Sequence, residues 1–304
     1  MDFNREIKIA TGTATSAYLN LNSITTAPTV GTPFSGYVLE SVAYANANVS
    51  GFLDSLAQRD GAEANIALLG TRQIQMIVQV YGSSSADFYD KLNALNSSLQ
   101  PYPSFATSDD GFRALDFDQA TLNTTAYTSG FINMRMKVRP TSIPTYNLNN
   151  DLVTPRTTDR GISTKAAVSL VAKDPRKTSQ TATTGTINVS ASTSTTPQLN
   201  SVTTLTNNGN YVAYPTFIFV NPATSSRTAT ITTSAWTSVF TIPASSTITI
   251  NSEDRTVKIG TALRMDLVAT GTTSMPYLLA GSTTIEIAPM PSVSGTYSFN
   301  EAWL

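Results

Sequence analysis

Apolar residues recur at every second position along several stretches of this 304-residue chain, the period at which side chains leave a strand on one face. Ile74, Met76, Val78 and Val80 share such a face. Ile132, Met134, Met136 and Val138 form another, with Asn133, Arg135 and Lys137 opposite them, which predicts a half-buried strand over 131–138. Val168, Leu170 and Ala172 repeat the pattern until Asp174-Pro175 ends it. After the first of these strands the period changes. Gly82 interrupts it, Ser84 precedes Asp87 by three residues as in a capping box, and Phe88, Leu92, Leu95 and Leu99 recur at helical spacing up to Pro101. One helix is predicted there.

Elsewhere the pattern is weaker. Residues 1–35 are rich in Thr, Gly and Pro with little periodicity and read as an arm or as loosely packed strands. The stretch TSQTATTGTINVSASTSTTPQ, 178–198, is too poor in large apolar groups to form core and reads as a linker. Beyond it come short β segments at 217–220, 228–232, 248–250, 257–259, 263–268, 285–287 and 297–299, the spacing of an antiparallel sandwich. The division is therefore an arm (1–35), a first domain (36–177), a linker (178–198) and a sandwich (199–304), within a length that suffices for two cores.

Composition narrows the chemistry. The chain has no Cys, which removes disulfides, thiolates and Cys-based metal sites, and no His, which removes Ser-His-Asp triads, HExxH zinc sites and imidazole shuttles. A net charge of −1 with a pI near 5.5 gives no basic stripe for nucleic acid. No apolar run reaches membrane-spanning length. The opening MDFNREIKIA lacks the apolar region of a secretory signal and reads as mature sequence folded in a cytoplasm. On that reading the N-x-[ST] triplets at Asn48 and Asn123 are products of a Thr- and Ser-rich composition. That bias itself suits strands and turns with neutral polar faces. A binding or building protein is expected, with no catalytic residues, metal or cofactor.

Candidate sites are few. In INSEDRTVKI, 250–259, Glu253, Asp254 and Arg255 cluster between strand-like Ile250 and Val257. Adjacent residues on an extended chain face opposite ways, so a hairpin turn is the ordinary reading and acid/base work the sharper one. Asp116-Phe117-Asp118, preceded by Asp109-Asp110-Gly111, would share a face and serve a metal or a glycosidase, yet no third ligand or EF-hand spacing accompanies it. Arg72 is either a phosphate anchor or a strand-start residue paired to a carboxylate or carbonyl; no phosphate-loop pattern surrounds it. Trp236 and Trp303 are either sugar-stacking platforms or packing residues.

Several stretches taken in order resemble the distal tail proteins of long-tailed bacteriophages. GYVLESV (36–42), Arg59-Asp60-Gly61, LLGTRQIQMIVQVYGSSSADFYDKLNALNSSLQP (68–101), LDFDQ and VSLVAKDPRK (168–177) follow the order of that family's N-terminal half. NNGNYVAYPTFIFVNP, INSEDRTVKI, PYLLAGSTTIEI and the closing FNEAWL follow that of its C-terminal half. The likeness spans 36–304, each motif being weak alone. Residues 1–35 have no counterpart, and Asn221-Pro222 stands where glycine is usual.

The resemblance implies a mainly β protein: an N-terminal tail-tube-like β domain with one helix and a C-terminal galectin-like antiparallel β-sandwich. It implies a structural virion protein, assembled in the host cytoplasm, whose 36–177 domain forms a hexameric ring at the distal end of the tail. The partners would be the tail tube protein, tail-tip or baseplate proteins and, in some members, a receptor-binding protein. No membrane is involved, and DNA only passes through the channel. The strand residues Ile74, Met76, Val78, Val80, Ile132, Met134, Met136 and Val138 are the candidates for building the ring. The alternative is a carbohydrate-binding module or adhesin that uses the sandwich, with Trp236 as platform; a glycosidase using Asp116 and Asp118 is a third reading.

Overall fold

The computed structural model describes residues 6–11, 17–23, 31–46, 49–50, 53–55, 62–64, 68–101, 111–120, 130–146, 156–158, 161–188, 201–288 and 293–304. The chain forms two compact units, Met1–Pro175 and Arg176–Leu304. Both are built from antiparallel strands, so the protein is mainly β. Arg59-Asp60-Gly61, Asp109-Asp110 and the Asn48 and Asn123 triplets lie outside the described residues.

In the first unit the principal strands are β1 (Ile7–Ala10), β2 (Tyr18–Asn20), β3 (Gly36–Tyr44), β4 (Arg72–Gly82), β5 (Arg113–Ala120), β6 (Phe131–Pro140) and β7 (Gly161–Ala172). Their order in the sheet is β2-β1-β5-β6-β7-β4-β3, every pairing antiparallel. The ends of this sheet meet. Ser23, just after β2, donates its N–H to the Tyr37 carbonyl at 3.0 Å, and the Tyr37 N–H donates to Ser23 Oγ at 2.8 Å. Asn22 Oδ1 accepts from the Leu39 N–H at 3.3 Å. Joining the ends satisfies backbone groups that an open edge would expose.

The alternation read from sequence is the alternation of burial. Ile74, Met76, Val78 and Val80 are buried on β4, as are Ile132, Met134, Met136 and Val138 on β6, while Gln73, Gln75, Asn133 and Lys137 are exposed. The helix, α1 (Ser85–Ser98), lies against β4 and β7. Ser84 is its N-cap, accepting from the Asp87 N–H at 3.3 Å, and the Asp87 carboxylate accepts from the Ser83 N–H at 2.8 Å. Gly82 is required where strand gives way to helix, because a Cβ there would stand 2.4 Å from the Phe88 backbone. Two tyrosines tether α1: Tyr37 donates to the Lys91 carbonyl at 2.8 Å and Tyr146 to Asn96 Oδ1 at 2.5 Å. Burial pushes both hydroxyls up to about 12.

In the second unit the strands are β8 (Lys177–Ser179), β9 (Thr183–Asn188), β10 (Ser201–Asn207), β11 (Thr216–Asn221), β12 (Arg227–Thr232), β13 (Thr237–Ile242), β14 (Ser246–Asn251), β15 (Thr256–Ile259), β16 (Ala262–Leu263), β17 (Gly281–Ala288), β18 (Ser294–Phe299) and β19 (Ala302–Trp303). One sheet runs β9-β18-β11-β14-β15-β16 and the other β10-β17-β12-β13. Phe217, Phe219, Ile248 and Ile250 of the first meet Ile231, Phe240, Ile242 and Ile285 of the second in one apolar core, which makes the unit a β-sandwich.

Three expectations are corrected here. Of the two readings of 1–35, the described residues give strands, β1 and β2, packed with Ile7, Ile9 and Leu21 buried and not as a loose arm, because strands of three or four residues are held by neighbours and not by their own periodicity. The supposed linker contains β9, whose single large apolar residue, Ile187, is in the core. The strand expected over 263–268 is two residues of β16 followed by a 3-10 turn, Met265–Leu267.

Candidate functional site

Every strand residue proposed as a ring builder points into the first unit's core, with exposure between 0% for Ile74 and 4% for Ile132. These residues shape the strands, and the opposite face is what another molecule can reach. Across that face the register aligns Asn20, Lys8, Asp116 and Arg135 in one row over β2, β1, β5 and β6. Arg135 grips Asp116 with two parallel bonds, Nε to Oδ1 at 2.7 Å and Nη2 to Oδ2 at 2.9 Å, and Nη2 also donates to the Tyr18 hydroxyl at 3.1 Å. The Asp116 side chain is 2% exposed, so this fork supplies what water would otherwise give it.

The bond to Asp116 raises the Arg135 pKa, and burial with Asp116 nearby raises that of Tyr18, so neither changes protonation near neutrality. Asp118 sits two pairs along, beside Asn133, and accepts from the Glu6 N–H at 3.4 Å. The two carboxylates thus have separate structural partners. No group of three Asp or Glu placed to hold a metal occurs among the described residues. On the same unit Lys165 meets Glu40 at 2.8 Å. Arg72 is buried at the start of β4, with Nε lacking a hydrogen-bond partner, and burial lowers its pKa.

The charged stretch in the second unit is a turn. Asn251 Oδ1 accepts from the N–H groups of Glu253 and Asp254 at 3.0 and 3.2 Å, and Arg255 takes the left-handed conformation, φ 53°, that closes it. Ile250 and Val257 then pair across the hairpin. Glu253 does more than keep the turn wet. It bonds Arg176 Nη2 at 2.9 Å, and that guanidinium lies over the Tyr214 ring.

Two other asparagines repeat the device. Asn207 donates to the carbonyls of Tyr211, Leu278 and Leu279 and accepts from the Gly209 N–H. Asn221, which stands where the resemblance leads one to expect glycine, donates to Ser225, Ile242 and Pro243 and accepts from Ala223. The chain end is fastened nearby. Trp303 pairs with Lys177, the Ser179 N–H donates to the Glu301 carbonyl at 2.9 Å, and Tyr211 donates to the Ala302 carbonyl at 3.0 Å. Gly209 makes room for that strand, since a Cβ would overlap the Ala302 carbonyl oxygen. Trp303 is accordingly buried, at 8% exposure.

The sandwich also carries a cleft of about 590 Å3 where its four-stranded sheet ends. Thr232, Ser282, Thr284 and Glu286 line one side, and the 233–236 turn and the 277–280 segment the other. Trp236 is part of this wall but not a free platform: it is 4% exposed, and its indole N–H donates to the Tyr277 carbonyl at 2.9 Å. Sequence reasoning found Trp236 and missed the rest, because the cleft joins residues some fifty positions apart.

Among the described residues the two units are mainly β and antiparallel, with a curled sheet and a helix in the first and a sandwich in the second. No protein-family profile and no curated protein matches the chain. Among solved structures it is similar to the SPP1 Dit protein, a paradigm of the hub adsorption apparatus of phages infecting Gram-positive hosts. The TM-score is 0.54 at 14% identity, over 88% of this chain and 94% of that one. Two chains of the activated phage p2 baseplate, with strontium and with calcium, align over 97% and 98% of this chain and of themselves. Their TM-scores are 0.44 and 0.39 at 9% and 12% identity, and they carry no further argument. The chain shares the fold of SPP1 Dit along nearly its whole length.

Proposed function

We propose that this chain is a structural, non-catalytic virion protein that forms a hexameric ring at the distal end of a phage tail. The ring joins the tail tube to baseplate, tip or receptor-binding proteins. The observation that carries this reading is the fold shared with SPP1 Dit, which extends over both units and not over one common domain alone. Three features support it. The first unit's curled sheet has its ends joined, leaving faces for subunit contact. The carboxylates that invited a catalytic reading are bound to Arg135 and Arg176 or spent on backbone. The channel of such a ring must not hold DNA by counterion release, and the basic residues Arg135 and Lys165 already face Asp116 and Glu40.

Light scattering on the intact chain at micromolar concentration tests the assembly. The expected mass is that of six copies of the 32.4 kDa chain, or of two such rings back to back. A monomer at every concentration, with no six-fold ring in particles, overturns the proposal.

A further inference from the structure

The cleft in the second unit has no part in the hub reading, and its chemistry is specific. We propose that it binds a neutral oligosaccharide. Its volume of about 590 Å3 lies within the usual range for ligand sites, about 300–1,000 Å3. Thr232, Ser234 and Thr284 bring hydroxyls to it, groups that both donate and accept and so match a ligand made of hydroxyls. Glu286 is half-buried in the same wall and makes no hydrogen bond or ion pair with any described residue, which leaves its carboxylate to accept from two neighbouring ligand hydroxyls.

Among the described residues no Lys or Arg lines the cleft, so an anionic ligand would meet the Glu286 charge without compensation. Apolar surface is present as well. Leu279, 50% exposed, and the partly buried Tyr277 ring, backed by the enclosed Trp236 indole 5.8 Å away, give a wall for the C–H face of a sugar ring.

The wall is built in advance of any ligand. Thr233 Oγ1 accepts from the N–H groups of Ala235 and Trp236 at 3.1 Å each, and the Thr233 N–H donates to the Trp236 carbonyl at 2.9 Å. A turn so braced, with its indole already bonded to Tyr277, loses little freedom on binding.

The test is a glycan array of neutral hexose and N-acetylhexosamine oligosaccharides beside sialylated and sulfated ones, probed with the intact chain, followed by calorimetric titration of the strongest binder. Neutral glycans are expected to bind in preference. Glu286→Gln should weaken that binding about tenfold or more, and Thr284→Tyr, a strand-compatible side chain that fills the cleft, should abolish it, while both variants melt with the parent. Absence of any neutral glycan above background, preference for anionic glycans, or binding that both variants leave unchanged would each overturn the proposal. A failed array leaves the ring assembly untouched, because the scattering experiment reads a different property of the chain.

Discussion

Met1–Pro175 curls its main sheet until the ends bond, lays a helix against it and pairs charges across strands, whereas Arg176–Leu304 packs two sheets face to face and fixes its turns with asparagine. The charge distribution follows that division: 13 of the 19 basic and 15 of the 20 acidic residues lie in the first unit. On the second, the register sets Thr186, Thr296, Ile218 and Thr249 in a neutral row across four strands. The comparison teaches that similar antiparallel strands are made specific by different means, chiefly charge pairs across the sheet in one unit and asparagine side chains bonded to backbone in the other.

The sharpest break in that comparison is at the chain end. Deleting residues 300–304, or replacing Trp303 with Ala, should destabilise the second unit by about 3–5 kcal/mol and leave the first unit's unfolding transition in place. Calorimetry of the intact chain reads both transitions. An unmoved second transition would mean that the chain end does not hold that unit together. Next in size is Arg135→Ala, which strands the Asp116 carboxylate with 2% exposure and should cost the first unit about 2–3 kcal/mol, Arg135 being one-third exposed. Adding Asp116→Asn should recover part of the loss; a purely additive double variant would contradict the pairing.

Those two cases also show what sequence makes legible. The alternation of β4, β6 and β7 and the Ser84–Asp87 cap were readable because their causes lie within a few residues. β1, with only Ile7 and Ile9 alternating, is a strand because β2 and β5 flank it, and β9 is one because β18 does. Asp116 and Asp118 looked like a pair because the sequence shows their spacing and hides Arg135, nineteen positions away and directly across the sheet. The hairpin at 251–256 was legible as a turn, while the Glu253–Arg176 bond was not.

Asn207→Ala and Asn221→Ala sharpen the amide side of the comparison. Each leaves buried carbonyls without their donor and should cost the second unit about 2 kcal/mol by denaturant unfolding. A loss confined to one of them would break the equivalence of the two turns.

Acidification separates the units further. Burial works to raise the Asp87 pKa, but bonds from Ser83 and Ser35 and the Lys91 charge outweigh it and hold the group below its ordinary 3.8. Its contribution to the first unit is therefore complete above 3.8 and lost as pH falls below that value. Glu301 has the opposite sign: burial raises it above 4.5, so the folded second unit takes up the proton more readily, and its stability rises as pH falls toward 4.5. Melting curves from about pH 7 to about pH 3 should show the second transition gaining before the first declines; Glu301→Gln should remove that gain. Smallest of all, replacing Glu253 and Asp254 with Ser should shift stability by no more than about 0.5 kcal/mol, the Glu253 side of the ion pair with Arg176 being 58% exposed.

The central claim concerns assembly, and class averages of the purified chain by electron microscopy test it most directly. The account predicts rings with six-fold symmetry, each repeat one 32.4 kDa chain. Particles of single-chain size, or closed rings of another symmetry, would contradict it.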